Sequence, residues 1–182
     1  GERDEQASSG KELVMKTGVN QGVPITYYNL YISGAPVVVA NTTATTADDY
    51  WAQAKASQGI KGREQSVIRL IEQSLNLRPT GGAYFLRAFA KDDLGDYEGA
   101  IADYNKAIAI EPQYADAYYN RGILKYDLKD YQGAISDYNK AIAINPENDF
   151  AYNTRGVAKD KLKDHQGAIA DYNKAIAINP QF

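Results

Sequence analysis

Over residues 97–110 the apolar side chains fall at steps of three and four. Ala100, Ile101, Tyr104, Ala107 and Ile108 line one face of a predicted helix, and Glu98, Asp103 and Lys106 take the other faces. The stretch before it, residues 83–94, carries Tyr84, Ala88 and Lys91 on one stripe. It closes at Leu94-Gly95-Asp96, where Gly95 suits the positive φ of a helix C-terminus. The same two halves then return: "YEGAIADYNKAIAIEP" at 97–112 is followed by "YQGAISDYNKAIAINP" at 131–146 and "HQGAIADYNKAIAINP" at 165–180. Pro79, Pro112, Pro146 and Pro180 lie 33, 34 and 34 residues apart, a period that predicts a stack of helical hairpins. One hairpin cannot bury its own apolar face. Identical hairpins in series cover one another, and the product is a curved surface rather than a catalytic pocket.

Small residues recur at matching places, Ala88, Gly122 and Gly156 in the first helix and Ala100, Ala134 and Ala168 in the second, so the paired helices can approach closely. The turn between them varies. Lys129 and Lys163 stand where Gly95 stood, which makes a left-handed cap less strongly indicated at those two turns.

The slots Tyr84, Ala88, Ala100, Tyr104, Ala107 and Pro112 resemble the tetratricopeptide repeat, a helix-turn-helix unit of 34 residues. Tyr118, Gly122, Ala134, Tyr138, Ala141 and Pro146 repeat the pattern, as do Tyr152, Gly156, Ala168, Tyr172, Ala175 and Pro180. The resemblance implies an all-α, right-handed solenoid of helix-turn-helix hairpins, here with a short irregular or β-containing N-terminal segment. Where the family usually has Leu before the small residue, this chain has Arg87, Arg121 and Arg155. A partly buried guanidinium needs a partner, so each arginine is expected to reach Asp103, Asp137 or Asp171 of its own unit.

Counting back from Pro79, a weaker unit fits, with Trp51, Val67, Ile71 and Ser74 in the aromatic and small-residue slots and Thr45-Thr46-Ala47-Asp48-Asp49 as a helix start. It reads as a degenerate repeat or as a capping helix pair. The expected organisation is therefore an N-terminal segment at 1–45, this unit at 46–80, and repeats at 81–114, 115–148 and 149–182.

In the family the first helix of each unit lines a concave groove that binds peptides. Its inner slots here hold Phe85, Phe89 and Asp92, then Tyr119, Asn120, Ile123 and Tyr126, then Asn153, Val157 and Asp160. Aromatics clustered in a groove point to a binding surface, although Phe85 and Phe89 could instead pack under the N-terminal segment or under the unit at 46–80. Members that clamp a C-terminal carboxylate use Lys, Asn and Arg, and those slots here read Phe85, Phe89, Asn120, Phe150 and Thr154. Only Asn120 suits that task. With Asp92, Asp127 and Asp160 nearby, the expected ligand is an apolar or aromatic segment of some basic character.

The first residues, "GERDEQASSGKE", have the polarity of an unpacked arm. Residues 18–43 are rich in aromatic and β-branched residues broken by Gly and Pro, which predicts one or two short strands and a helical turn at "TYYNLYI". "KTGVNQGVPITYYNLYISG" at 16–34 resembles the end of a trypsin-like serine peptidase domain. That resemblance implies a non-catalytic C-terminal region of a bacterial peptidase fused to the repeats, and with it export. No Gly-Asp-Ser-Gly-Gly segment is present, and the only histidine, His165, takes the place of Tyr97 and Tyr131 at a helix start.

Composition narrows the partners. Net charge is −3 with Lys and Glu interspersed, so no basic stripe exists to meet phosphates, and nucleic acid is not expected. No run reaches the roughly 18 apolar residues of a membrane span. The chain has no cysteine, and neither a phosphate-binding glycine loop nor a paired-histidine metal motif is present, so no cofactor or metal and no catalytic residue is expected. The partner class is protein or peptide. The chain stops at Phe182 just after Pro180, which predicts association through the outward side of the last hairpin, as a homo-oligomer or with a downstream segment.

Overall fold

The computed structural model describes residues 46–181 and, ahead of them, the backbone of residues 6–7, 11–20, 23–32 and 35–41. The chain separates into two compact units, Gly1–Thr45 and Thr46–Phe182. The first unit contains β1 (Gln6–Ala7), β2 (Lys11–Asn20), β3 (Val23–Ile32) and β4 (Ala35–Asn41), antiparallel in the order β1-β2-β3-β4. Leu13 is opposite Leu30 and Thr17 opposite Thr26, while Tyr28 is opposite Val39 on the other edge. Two expectations are corrected here. Thr26–Ile32, read as a helical turn, is the second half of β3, because its tyrosines and isoleucine fit a pleated ladder better than a helix. Lys11 and Glu12, read as part of a polar arm, open β2.

The second unit is all-α: α1 (Ala47–Ser57), α2 (Glu64–Leu77), α3 (Gly81–Asp93), α4 (Tyr97–Ile110), α5 (Ala115–Asp127), α6 (Tyr131–Ile144), α7 (Asp149–Lys161) and α8 (His165–Ile178). Local chemistry sets the ends. Thr46 forms a capping box with Asp49: Thr46 Oγ1 accepts from the Asp49 N–H at 3.1 Å, and Asp49 Oδ2 accepts from the Thr46 N–H at 3.0 Å. Asp96, Asp130 and Asp164 cap α4, α6 and α8 by accepting from Gly99, Gly133 and Gly167 N–H.

Each of those aspartates also closes the preceding helix. The Gly95 N–H donates to Asp92 O at 2.8 Å and the Asp96 N–H to Lys91 O at 2.9 Å, a paired bond pattern that satisfies two orphan carbonyls at once. Lys129 and Lys163 make the same bonds at φ 65° and 66°, beside Gly95 at 78°. The left-handed cap thus persists without glycine. Two carbonyls satisfied and a helix restarted by the next residue outweigh the roughly 1–2 kcal/mol that a side chain costs in this region.

The core runs through each hairpin and on from one hairpin to the next. Ile71 and Leu75 of α2 meet Ala83, Leu86 and Ala90 of α3; Ala100, Tyr104 and Ala107 of α4 meet Ala117 and Leu124 of α5; Tyr138 of α6 meets Ala158 of α7. The unit at 46–80 follows the same rule, with Val67, Ile71 and Ser74 buried and the Ser74 hydroxyl donating to Ala47 O at 2.7 Å. Gly122 and Gly156 show why small residues stand at their slot: a Cβ at Gly122 would lie 2.7 Å from Tyr138 Cε1, and one at Gly156 2.7 Å from Tyr172 Cε1.

Among the described residues no helix is long and apolar enough to cross a membrane.

Candidate binding groove

The first helices α3, α5 and α7 are held in position by a repeated buried ion cluster. Arg87 Nε and Nη2 donate to the two oxygens of Asp103 at 2.7 Å each, and Lys91 Nζ lies 2.8 Å from Oδ2. Arg121 and Lys125 hold Asp137 in the same way, and Arg155 and Lys159 hold Asp171. The arginine pairings follow the charge argument. The lysines, four residues on and therefore on the same helix face, complete each cluster. Asp103 is 1% exposed, yet its carboxyl is held below the ordinary aspartate range. Burial alone would raise it, and the hydrogen bonds and charges of Arg87 and Lys91 more than reverse that. A further link crosses between hairpins: Arg121 Nη1 donates to Asn105 Oδ1 at 2.5 Å and Arg155 Nη1 to Asn139 Oδ1 at 2.6 Å.

Against this frame the ten predicted groove residues fall into two groups. Phe85, Phe89, Asp92, Tyr119, Asn120, Ile123, Tyr126, Asn153 and Val157 are all partly buried, and Asp160 is exposed. Phe85 stacks on Tyr114 with ring centres 4.9 Å apart. With Trp51, Lys55, Leu86 and Tyr114, it lines a cleft of about 110 Å³. Phe89 sits beside the α1–α2 turn, near Gln58, Gly59 and Ile60. Phe89 thus borders the unit at 46–80, whereas Phe85 packs on Tyr104 and Tyr114 and shares an open cleft with Trp51.

Several polar groups in the groove already have partners. The Asn120 amide donates to Asp116 O at 2.8 Å, and the Thr154 hydroxyl donates to Phe150 O at 2.8 Å. Burial raises the phenols of Tyr119 and Tyr138, and Thr154 acts on both in the opposite direction. Asp160 faces His165 Nδ1 at 2.6 Å, so His165 is a partner of a groove carboxylate across the turn. Asp92 differs. Burial raises its carboxyl, the charges of Asp93 and Asp127 raise it further, and none of the three forms an ion pair among the described residues. Asp93, Tyr114 and Trp51 were not singled out as groove residues. Trp51 stands on α1 and Tyr114 in the loop before α5, off the first helices whose slots define the groove in sequence.

This geometry, paired helices stacked on a 34-residue period with a partly open aromatic face, defines a tetratricopeptide-repeat array. The family described as TPR repeat matches residues 93–129, and the family described as Tetratricopeptide repeat matches 115–148 and 150–182. Solved structures agree. A crystal structure of MamA superposes with a TM-score of 0.70 at 25% identity, covering 74% of this chain and 79% of that one. MamA 41-end from Desulfovibrio magneticus RS-1 gives 0.69 at 20%, covering 78% and 80%. YrrB, titled a TPR protein with an unusual peptide-binding site, gives 0.65 at 17%, covering 74% and 69%. No curated protein matches the sequence. The chain carries tetratricopeptide repeats and is a protein-interaction module. The family matches begin at residue 93, so nothing in them supports the peptidase resemblance at 16–34.

Proposed function

We propose that the face formed by α3, α5 and α7 binds an extended segment of another protein, apolar or aromatic in part and basic in part, and that the chain acts by binding rather than by catalysis. The observation that carries this is the partly open aromatic cleft at Trp51, Phe85 and Tyr114, on an array whose first helices also carry Asp92 and Asp127, neither of which forms an ion pair among the described residues. The carboxylate-clamp alternative is disfavoured by the same residues: the Asn120 amide, the one group suited to hold an anion, is already engaged with Asp116 O. Fluorescence anisotropy with labelled acidic and basic peptides of matched hydrophobicity tests the reading. Basic peptides are expected to bind at least tenfold tighter, with the preference shrinking as salt rises; tighter acidic binding would reverse it.

A further inference from the structure

Among the glycines of residues 46–182, all but one have a local reason to be glycine. Three have φ between 72° and 85°, and six lie where an added Cβ would come within 2.7 Å of a neighbouring side chain. Gly82 has neither reason. It stands in the first turn of α3 without a positive φ, and a Cβ there would meet Trp51 Nε1 at 3.8 Å, an ordinary contact. The same slot one and two repeats on holds Asp116 and Phe150, both exposed, so the fold accepts larger side chains there. Glycine within a helix is less stabilising than alanine. Packing and backbone geometry therefore leave this glycine unexplained.

Its place supplies the explanation. Gly82 lines the cleft of about 110 Å³ shared by Trp51, Phe85 and Tyr114, and the side chain it lacks would project into the region of Trp51. The floor of that cleft is apolar. Phe85 rests on the ring of Tyr104 at 5.6 Å, and the Tyr104 hydroxyl, which has no hydrogen-bond partner among the described residues, is itself buried and offers a ligand nothing.

Resting on the groove reading above, we propose that this cleft is a subsite for one leucine or isoleucine side chain of the bound protein segment, and that Gly82 keeps it open. A cavity of roughly 150 Å³ accepts benzene, so the smaller space here suits a branched aliphatic side chain better than an aromatic ring. A cation is excluded as the occupant. Lys55 lines the same cleft, with Nζ 4.7 Å from the Trp51 ring centre, and forms no ion pair among the described residues. The basic residues of the segment then fall outside the cleft, toward the first helices that bear Asp92 and Asp127.

The test uses the whole chain and basic peptides whose central residue is leucine, alanine or lysine. Anisotropy of labelled peptides reads binding, and Trp51, the one tryptophan of the sequence, reads the cleft when unlabelled, tryptophan-free copies are added. Leucine peptides are expected to bind about tenfold tighter than alanine peptides, for three carbons withdrawn from water, and to shield Trp51 from acrylamide quenching. Lysine peptides should bind no better than alanine ones. Gly82→Leu should fill the cleft and abolish the leucine preference while alanine-peptide binding stays, and Gly82→Ala should narrow it and reduce the preference with a thermal midpoint equal to or above that of the unaltered chain. Lost preference with retained or gained stability separates a binding role from a structural one. A leucine peptide that binds no tighter than its alanine counterpart, binds without shielding Trp51, or keeps its full preference for the Gly82→Leu chain overturns the subsite and leaves the groove intact. Should Gly82→Leu fail to fold, the Trp51 readout on the unaltered chain and the Gly82→Ala comparison decide. If no peptide binds, the groove reading fails and the subsite falls with it.

Discussion

Replacing Arg121 by leucine is expected to lower the free energy of unfolding by about 3–5 kcal/mol, the usual loss when one member of a buried ion pair is removed. Three effects converge at this residue. Asp137 is 3% exposed and loses two hydrogen bonds, keeping only Lys125. The link to Asn105 of the preceding hairpin goes as well. The change also falls in an interior hairpin, where a break interrupts coupling on both sides. The double variant Arg121→Leu with Asp137→Leu should recover most of the loss, because no unpaired charge is then buried and Lys125 can turn to solvent. Urea unfolding followed by helical circular dichroism provides the measurement; a single variant within 1 kcal/mol of the parent, on the scale of a surface pair, would show that the clusters contribute little.

The same clusters set the response to acid. Asp103 and Asp171 are held below the ordinary aspartate value of 3.8, with burial opposing the shift and their arginine and lysine partners producing it. A carboxylate with a depressed folded-state pKa contributes stability that is complete above its unfolded value and is lost as pH falls through the folded one. The urea midpoint should therefore hold down to about pH 4 and drop below it.

Tyr138→Ala is the second large effect, expected at about 3–5 kcal/mol by analogy with other buried aromatic truncations. Its ring is 1% exposed and packs where Gly122 leaves room, with the Tyr119 ring centre at 5.9 Å. Tyr172→Ala, at the same slot in α8, should be distinctly milder because Tyr172 is only partly buried. Chemically identical truncations then differ by position in the stack. Equal losses at residues 138 and 172 would mean that burial by the neighbouring hairpin is not what stabilises each unit.

Much of this was legible because it depends on neighbours in sequence. The helix over 97–110, the cap at Thr46 and the pairing of each arginine with an aspartate 16 residues on all follow from spacing and from the cost of an unpaired charge. The stretch at 26–32 misled because a short run of tyrosine and aliphatic residues has no period of its own, and pairing with β2 and β4 decided it. The left-handed lysines depart from expectation because a steric preference worth roughly 1–2 kcal/mol is outweighed by two backbone hydrogen bonds and the restart of the next helix.

In the groove, the residue list came from slots on single helices. What those residues touch depends on how one hairpin sits on the next. Asp160 turned out to face His165 around a turn, Phe89 rests beside the α1–α2 loop, and the orphan hydroxyl of Tyr104 came from a helix not counted among the groove elements.

Periodicity alone determined that residues 81–180 form three matching helical hairpins and which faces they bury, because a helix repeats every 3.6 residues and the pattern is written within each unit. Only the tertiary structure decided which polar groups are satisfied, since the offset between hairpins is a property of their packing and brings Arg121 to Asn105 and Arg155 to Asn139, while it leaves the Tyr104 hydroxyl without a partner among the described residues.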